Sequence, residues 1–118
     1  LKLLAYERII LFIERIKPDS FIPRTLSPSL PYQEYQLLLI NEIRKEFEYN
    51  LSQQLYLSEN AWEVTVNFKD NIITLNSAAT SCPPQATAGD LARKILEHYI
   101  SSDLKGDQIS KIVKAEIQ

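Results

Sequence analysis

The chain has 118 residues, of which 45% are hydrophobic and 24% are charged, and its net charge is −2. These values exclude a disordered chain and leave no room for two domains of ordinary size. They also argue against duplex binding, because nucleic-acid affinity comes largely from a basic surface that neutralises phosphates. With only two glycines and one cysteine, a turn-rich all-β fold, an internal disulfide and a multi-cysteine metal site are disfavoured.

Residues 1–16 are predicted to form a helix, because apolar residues recur at helical spacing with few polar residues between them. A helix this apolar is either buried widely or packed on something outside the chain, so it could also serve as a stalk. Pro18 predicts its end, since the residue before a proline disfavours the α region. The apolar positions are Leu3, Leu4, Tyr6, Ile9, Ile10, Leu11, Phe12, Ile13 and Ile16.

Residues 17–31 are predicted to be an extended, Pro-rich connection. Proline fixes φ and removes a backbone donor, so a segment dense in proline is poorly suited to a helix or a central strand. The apolar residues between the prolines suggest that the connection lies along a surface. The prolines of this segment are Pro18, Pro23, Pro28 and Pro31.

The strongest predicted helix runs over residues 32–54. Apolar residues recur there at every fourth position and define one buried face. The predicted buried stripe consists of Tyr35, Leu39, Ile43, Phe47, Leu51 and Leu55.

Residues 62–75 fit two patterns. Val64, Val66 and Phe68 alternate up to Asp70-Asn71, as in a hairpin. The helical alternative has the longer stripe, and Ser58 precedes it as an N-cap, so the helix is preferred. The helical stripe consists of Ala61, Val64, Phe68, Ile72, Leu75 and Ala79.

Two further helices are predicted in the C-terminal third. Thr87 and Asp90 form a variant of the capping box and open a helix that runs to about Ser101. Gly106 breaks the chain, and a last helix is predicted from Asp107 to Ile117. The sequence therefore predicts one all-α domain over 1–118, a small bundle of about five helices.

The sequence offers no constellation that predicts catalysis, a cofactor or a metal site. His98 lacks a nucleophile elbow and a glycine-built oxyanion hole, so a half-exposed structural histidine is the better interpretation. Cys82 is followed by two prolines, which supply neither amide donors nor positive charge to activate a thiol. We therefore expect no enzymatic activity and no cofactor.

The most informative polar feature is a stripe on the helix predicted over 32–54. Its members are spaced by four, four and three residues, which places them on one side of the helix. The stripe is either a recognition surface, a carboxylate metal site of the helix-bundle kind, or an ordinary solvated face. A dinuclear metal site is disfavoured because the chain has no Glu-x-x-His pair. The stripe consists of Glu42, Glu46, Asn50 and Gln53, with Gln54 and Ser52 beside it.

Two runs of the sequence resemble an uncharacterised bacterial family of Bacteroidetes type. Residues 46–62 (EFEYNLSQQLYLSENAW) are similar to its central motif, and residues 6–16 (YERIILFIERI) to its start. Its members resemble one another in having one N-terminal transmembrane helix followed by a cytoplasmic helical domain. The resemblance implies a membrane anchor upstream of Leu1 and a domain on the cytoplasmic face, and it implies no catalytic residues. Since the chain contains no methionine, we expect its natural start to lie upstream.

Two functional hypotheses remain at the level of sequence. The first is a non-catalytic interaction or scaffold domain that binds a protein partner or itself through the first helix or the polar stripe, with no role in nucleic-acid binding. The second is a small-ligand module with a pocket between helices. The aromatic residues that would line such a pocket are Tyr32, Tyr35, Trp62 and Tyr99.

Overall fold

A computed structural model of the chain describes residues 2–77 and 82–102, together with Lys111 and Ala115. Within those residues the regular elements are all helical, which confirms the all-α prediction, and the one β feature is an isolated bridge between Pro31 and Thr87. The elements in chain order are α1 (Lys2–Ile16), α2 (Pro18–Thr25), α3 (Tyr32–Tyr49), a 3₁₀ helix (Leu51–Tyr56), α4 (Glu59–Ser77) and α5 (Ala88–Ile100).

Helix α1 packs into the core. Tyr6 and Ile9 are completely buried, and α1 contacts α2, α3, α4 and the 3₁₀ helix. The Tyr6 hydroxyl accepts a hydrogen bond of 3.3 Å from the backbone N–H of Ser58. The inner face of α1 is therefore integrated with the rest of the fold, whereas Leu3, Leu4 and Leu11 remain exposed.

The prediction of an extended connection over residues 17–31 is wrong in its first half, which forms α2. Pro18 takes a position in the first turn of α2, where the missing N–H has no intrahelical acceptor in any case. Pro23 lies on the exposed side of this two-turn helix and removes one hydrogen bond from it. Burial of Phe21 and Ile22 against the core compensates for that loss.

A hydrogen bond joins α2 to α3. The hydroxyls of Thr25 and Tyr35 are 2.9 Å apart, and the Tyr35 side chain has no solvent exposure. Burial raises the pKa of the Tyr35 phenol above its ordinary value, and the hydrogen bond to Thr25 opposes part of that shift. The ring is thus fixed between two helices as a neutral group.

Helix α3 ends five residues before the predicted position. Tyr35, Leu39 and Ile43 are buried as predicted, but Leu51 and Leu55 lie 43% and 84% exposed, so their assignment to the buried stripe is wrong. The chain tightens after Asn50 into the 3₁₀ helix, which has three residues per turn. Residues spaced by four do not lie on one side of such a helix, so the apolar positions of the stripe turn towards solvent there.

The helices predicted for the second half are present where the structure describes them. Helix α4 settles the ambiguity over residues 62–75 in favour of a helix, and the Ser58 hydroxyl accepts a hydrogen bond from the N–H of Ala61 at 3.0 Å. Thr87 and Asp90 form the predicted reciprocal capping box. The hydrogen bond from the Thr87 N–H holds the pKa of the Asp90 carboxyl below its ordinary value. The last predicted helix, residues 107–117, lies outside the described ranges.

We predict that α1 is essential for the stability of the fold. Ile13→Ala is expected to lower the free energy of unfolding by about 2–5 kcal/mol, because it empties a fully packed position. Leu11→Ala on the outer face of the same helix is the matched control, with an expected change within about 0.5 kcal/mol. Urea unfolding followed by circular dichroism measures both, and equal losses would contradict the burial of α1.

Candidate functional site

A large open depression of the described surface lies between the outer face of α1 and the C-terminal half of α3. The two helices run antiparallel there, with Phe12 opposite Phe47 and Arg15 opposite Glu46. The depression between them, called the groove below, has a volume of about 450 Å³. Its lining consists of Arg8, Leu11, Phe12, Arg15, Glu42, Lys45, Glu46, Tyr49 and Asn50.

Three charged side chains from three helices meet at one end of the groove. Arg15 donates from Nε and Nη2 to Glu46 Oε1, at 3.0 and 2.6 Å. Arg24 reaches from α2, with its Nη1 3.8 Å from the same oxygen and its Nη2 donating to the carbonyl of Arg15 at 2.9 Å. The Glu46 side chain is 19% exposed, and its Oε2 is buried without a hydrogen-bond partner among the described residues.

Aromatic packing supports the floor of the groove. Phe47 contacts Phe12 at a ring-centroid distance of 6.0 Å and stacks on Trp62 at 5.4 Å. The Lys69 ammonium lies 4.3 Å from the Phe47 ring centroid, within the range of a cation–π interaction. Phe12 packs on Phe47 and also lines the groove. The packing of the core therefore fixes the position of the groove floor.

The structure divides the predicted polar stripe into two parts. Glu42, Glu46 and Asn50 line the groove, and the Asn50 side-chain amide donates to the carbonyl of Glu46 at 2.8 Å. Gln53 and Gln54 follow in the 3₁₀ helix and lie outside the groove lining. The change of helix type after Asn50 is the physical reason for the break.

The residues tested for catalysis or metal binding occupy separate places. His98 is exposed on α5. Cys82 is buried and borders a second cavity of about 390 Å³ beside α5. Within the part of the chain that the structure describes, no group of three or more histidine, cysteine or acidic residues is arranged to hold a metal ion.

Two of the aromatic residues considered for a ligand pocket, Tyr35 and Trp62, have different neighbours. Tyr35 is buried against Thr25, whereas Trp62 stacks on Phe47. Phe47 follows Tyr35 by twelve residues in α3, which corresponds to about 18 Å along the helix axis. Tyr35 and Trp62 therefore pack in different parts of the core, and the ligand-module hypothesis stays a prediction.

The exposed leucines of α1 were not singled out by the sequence reasoning as surface residues. Leu4 is 48% and Leu11 is 60% exposed, and both point away from the buried face. A signal for them was present, because the pattern Leu-x-x-Glu-Arg recurs after seven residues, at 4–8 and 11–15. The groove adds Tyr49, which is 84% exposed.

Comparisons with known proteins give one match. Residues 1–118, the whole chain, match a family described as Family of unknown function (DUF7935). No curated protein and no solved structure matches the chain. None of the helices that the structure describes has the length and hydropathy of a membrane span.

We predict that Glu46 stabilises the junction of α1, α2 and α3. Glu46→Gln is expected to lower the free energy of unfolding by about 1–2 kcal/mol. The loss is smaller than for a fully buried ion pair, because the Arg15 side chain is half exposed and solvent screens its charge. Glu48→Gln, on the exposed side of α3, is the control, with an expected change within about 0.5 kcal/mol. Urea unfolding at low and high salt measures both; a loss at Glu46 no larger than at Glu48 would contradict the role.

Proposed function

The chain belongs to the Family of unknown function (DUF7935), and we propose that it is a non-catalytic protein-interaction domain held at the cytoplasmic face of a membrane. The observation that carries the proposal is the surface formed by the outer face of α1 and the adjoining groove. Apolar side chains are exposed on both, namely Leu4 and Leu11 on α1 and Tyr49 at the groove.

The exposed apolar residues belong to neighbouring elements. Leu11 and Tyr49 line the same groove, and α1 contacts the 3₁₀ helix that carries Leu51 and Leu55. Single exposed leucines are ordinary on protein surfaces, but neighbouring ones around a concave feature are typical of interaction sites. The aromatic and arginine residues at the groove, Tyr49 and Arg8, are the residue types enriched in interface hot spots.

The charges of the groove suit the binding of a partner. Its lining brings Arg8 and Lys45 beside exposed apolar side chains. Glu46 is tied to Arg15 in an ion pair that joins two helices. Such charges stabilise the shape of the surface and set the charge pattern that a partner meets.

The membrane part of the proposal is supported by the resemblance of residues 6–16 and 46–62 to proteins with an N-terminal anchor. We expect the natural full-length protein to sediment with membranes and to be released by detergent but not by high salt. Protease added to intact spheroplasts should leave the domain uncut, and permeabilisation should expose it. Release by salt alone, or digestion in intact spheroplasts, would contradict the anchored cytoplasmic placement.

The interaction part is tested by site-specific cross-linking from the outer face of α1. Deletion of residues 1–17 is unsuitable, because α1 carries part of the core. A photo-reactive amino acid at position 11 of the full-length protein, in its own cells, is expected to give a discrete cross-linked species. Position 37 is the matched control, since Leu37 is 63% exposed on α3 and lies outside the groove lining. Equal patterns at the two positions would overturn the proposed interaction surface.

A further inference from the structure

The outer face of α1 carries three parallel rows of side chains. At about 3.6 residues per turn, Leu4 and Leu11 form the central row. Glu7 and Glu14 lie along one edge of it, and the arginines lie along the other edge, next to α3. The rows follow from the seven-residue repeat, which brings each residue type back to nearly the same side of the helix.

This face has unused charges. Neither Glu7 nor Arg8 forms an ion pair with any residue that the structure describes, and both are exposed. Their charges are opposite and flank an apolar row, an arrangement that specifies partner and orientation in paired helices. A second copy of α1 carries the same two charges, so two copies of this face can complement each other.

Two-fold symmetry distinguishes the two ways of pairing this face with its copy. In a parallel pair, the glutamate edge of each helix lies beside the arginine edge of the other, so Glu7 meets Arg8 of the second copy. In an antiparallel pair, each edge lies beside its own equivalent, so glutamates oppose glutamates and arginines oppose arginines. Like charges opposed across an interface are destabilising, and the charge pattern therefore favours the parallel pair.

We propose that the partner of this surface is a second copy of the chain, bound as a parallel two-fold dimer through α1. Leu4 and Leu11 pack on their own equivalents along the axis, and Glu7 pairs with Arg8 of the second copy on each side. Because the symmetry is closed, both copies use the same patch. This inference rests on the proposed function and names its partner.

The groove fits the same arrangement. In the parallel pair, the acidic edge of one α1 approaches the side of the other α1 that faces α3. That side presents Arg8, Lys45 and the exposed Tyr49 ring, with the carboxylate of Glu42 beside them, whereas Arg15 is bound to Glu46 of its own chain. Glu7 of each copy thus comes beside Arg8 and Lys45 of the other, while Glu14 stays paired with Lys17 of its own chain. This contact extends the interface beyond the two leucine pairs.

The parallel orientation also fits the membrane anchor of the proposed function. A parallel pair directs both N-terminal ends to the same side, so two anchors enter one membrane. Tethering in a membrane raises the effective concentration of the second copy, so a weak contact between soluble domains is sufficient. We therefore expect a dimer that dissociates readily in dilute solution.

The test is a pair of charge reversals measured by sedimentation velocity over a range of concentrations up to about millimolar, where weak contacts of this size are populated. Glu7→Arg opposes arginine to arginine, and Arg8→Glu opposes glutamate to glutamate. Each variant alone is expected to raise the dimer Kd at least about tenfold. An equimolar mixture of the two variants restores both pairs and is expected to associate as a heterodimer.

The control is Glu63→Arg, which makes the same charge change on the outward side of α4. It is expected to leave the dimer Kd unchanged, and circular dichroism is expected to show equal folding of all variants. Equal association of the wild-type chain, Glu7→Arg and Arg8→Glu would overturn the proposed interface, as would a wild-type chain that stays monomeric throughout.

A cysteine cross-link tests the orientation. In a Cys82→Ala background, Leu4→Cys is expected to form a disulfide homodimer, because the two positions face each other across the axis of a parallel pair. Leu37→Cys, at a position of α3 that is more exposed than Leu4, is expected to remain a monomer. If Leu4→Cys links only to a chain carrying Leu11→Cys, the pair is antiparallel and the proposed arrangement is wrong.

The outcomes separate this inference from the proposed function. A monomeric chain without a Leu4→Cys cross-link, combined with a specific cross-link from position 11 to a different protein in cells, overturns self-association and leaves the interaction surface standing. The absence of both cross-links overturns both. A cross-linked species from position 11 with the mass of two copies supports both.

Discussion

Burial of the inner face of α1 is the constraint on which the other features depend. Tyr6, Ile9 and Ile13 enclose the core together with α3 and α4, and that packing leaves a single side of α1 for solvent. The same packing aligns Arg15 with Glu46, 31 residues away in sequence, and creates the groove beside them. The groove therefore depends on the packing of α1 against α3.

The junction of Arg15, Arg24 and Glu46 connects the Pro-rich stretch to the site. Because α2 is a helix, its last turn brings Arg24 to the end of α1, where it binds the Arg15 carbonyl. One carboxylate therefore lies between two guanidinium groups. This geometry keeps Arg15 against α3 and leaves Arg8, about two turns earlier, with its charge available on the outer face.

Much of the fold could be predicted from the sequence because α3, α4 and α5 carry regular apolar stripes and two of the helix starts carry recognisable caps. Helix α2 was missed because proline statistics describe helix interiors, whereas Pro18 occupies a first turn. Leu51 and Leu55 were misplaced because periodicity cannot show where a helix tightens into 3₁₀ geometry. Only part of the groove could be predicted from the sequence. The polar stripe indicated Glu42 and Glu46 on α3, but periodicity within one helix cannot show that the arginines of α1 lie beside them.

The position of α1 in the core has a consequence for synthesis on the ribosome. Helix α1 is synthesised before α3 and α4, on which its burial depends, and α4 ends at Ser77. Until α4 is complete, the apolar inner face of α1 stays exposed to water. Nascent chains on neighbouring ribosomes present this same apolar face to one another. Contacts of such long sequence separation slow folding and extend that interval. A chaperone that covers residues 1–16 during translation would prevent association of nascent chains at this stage.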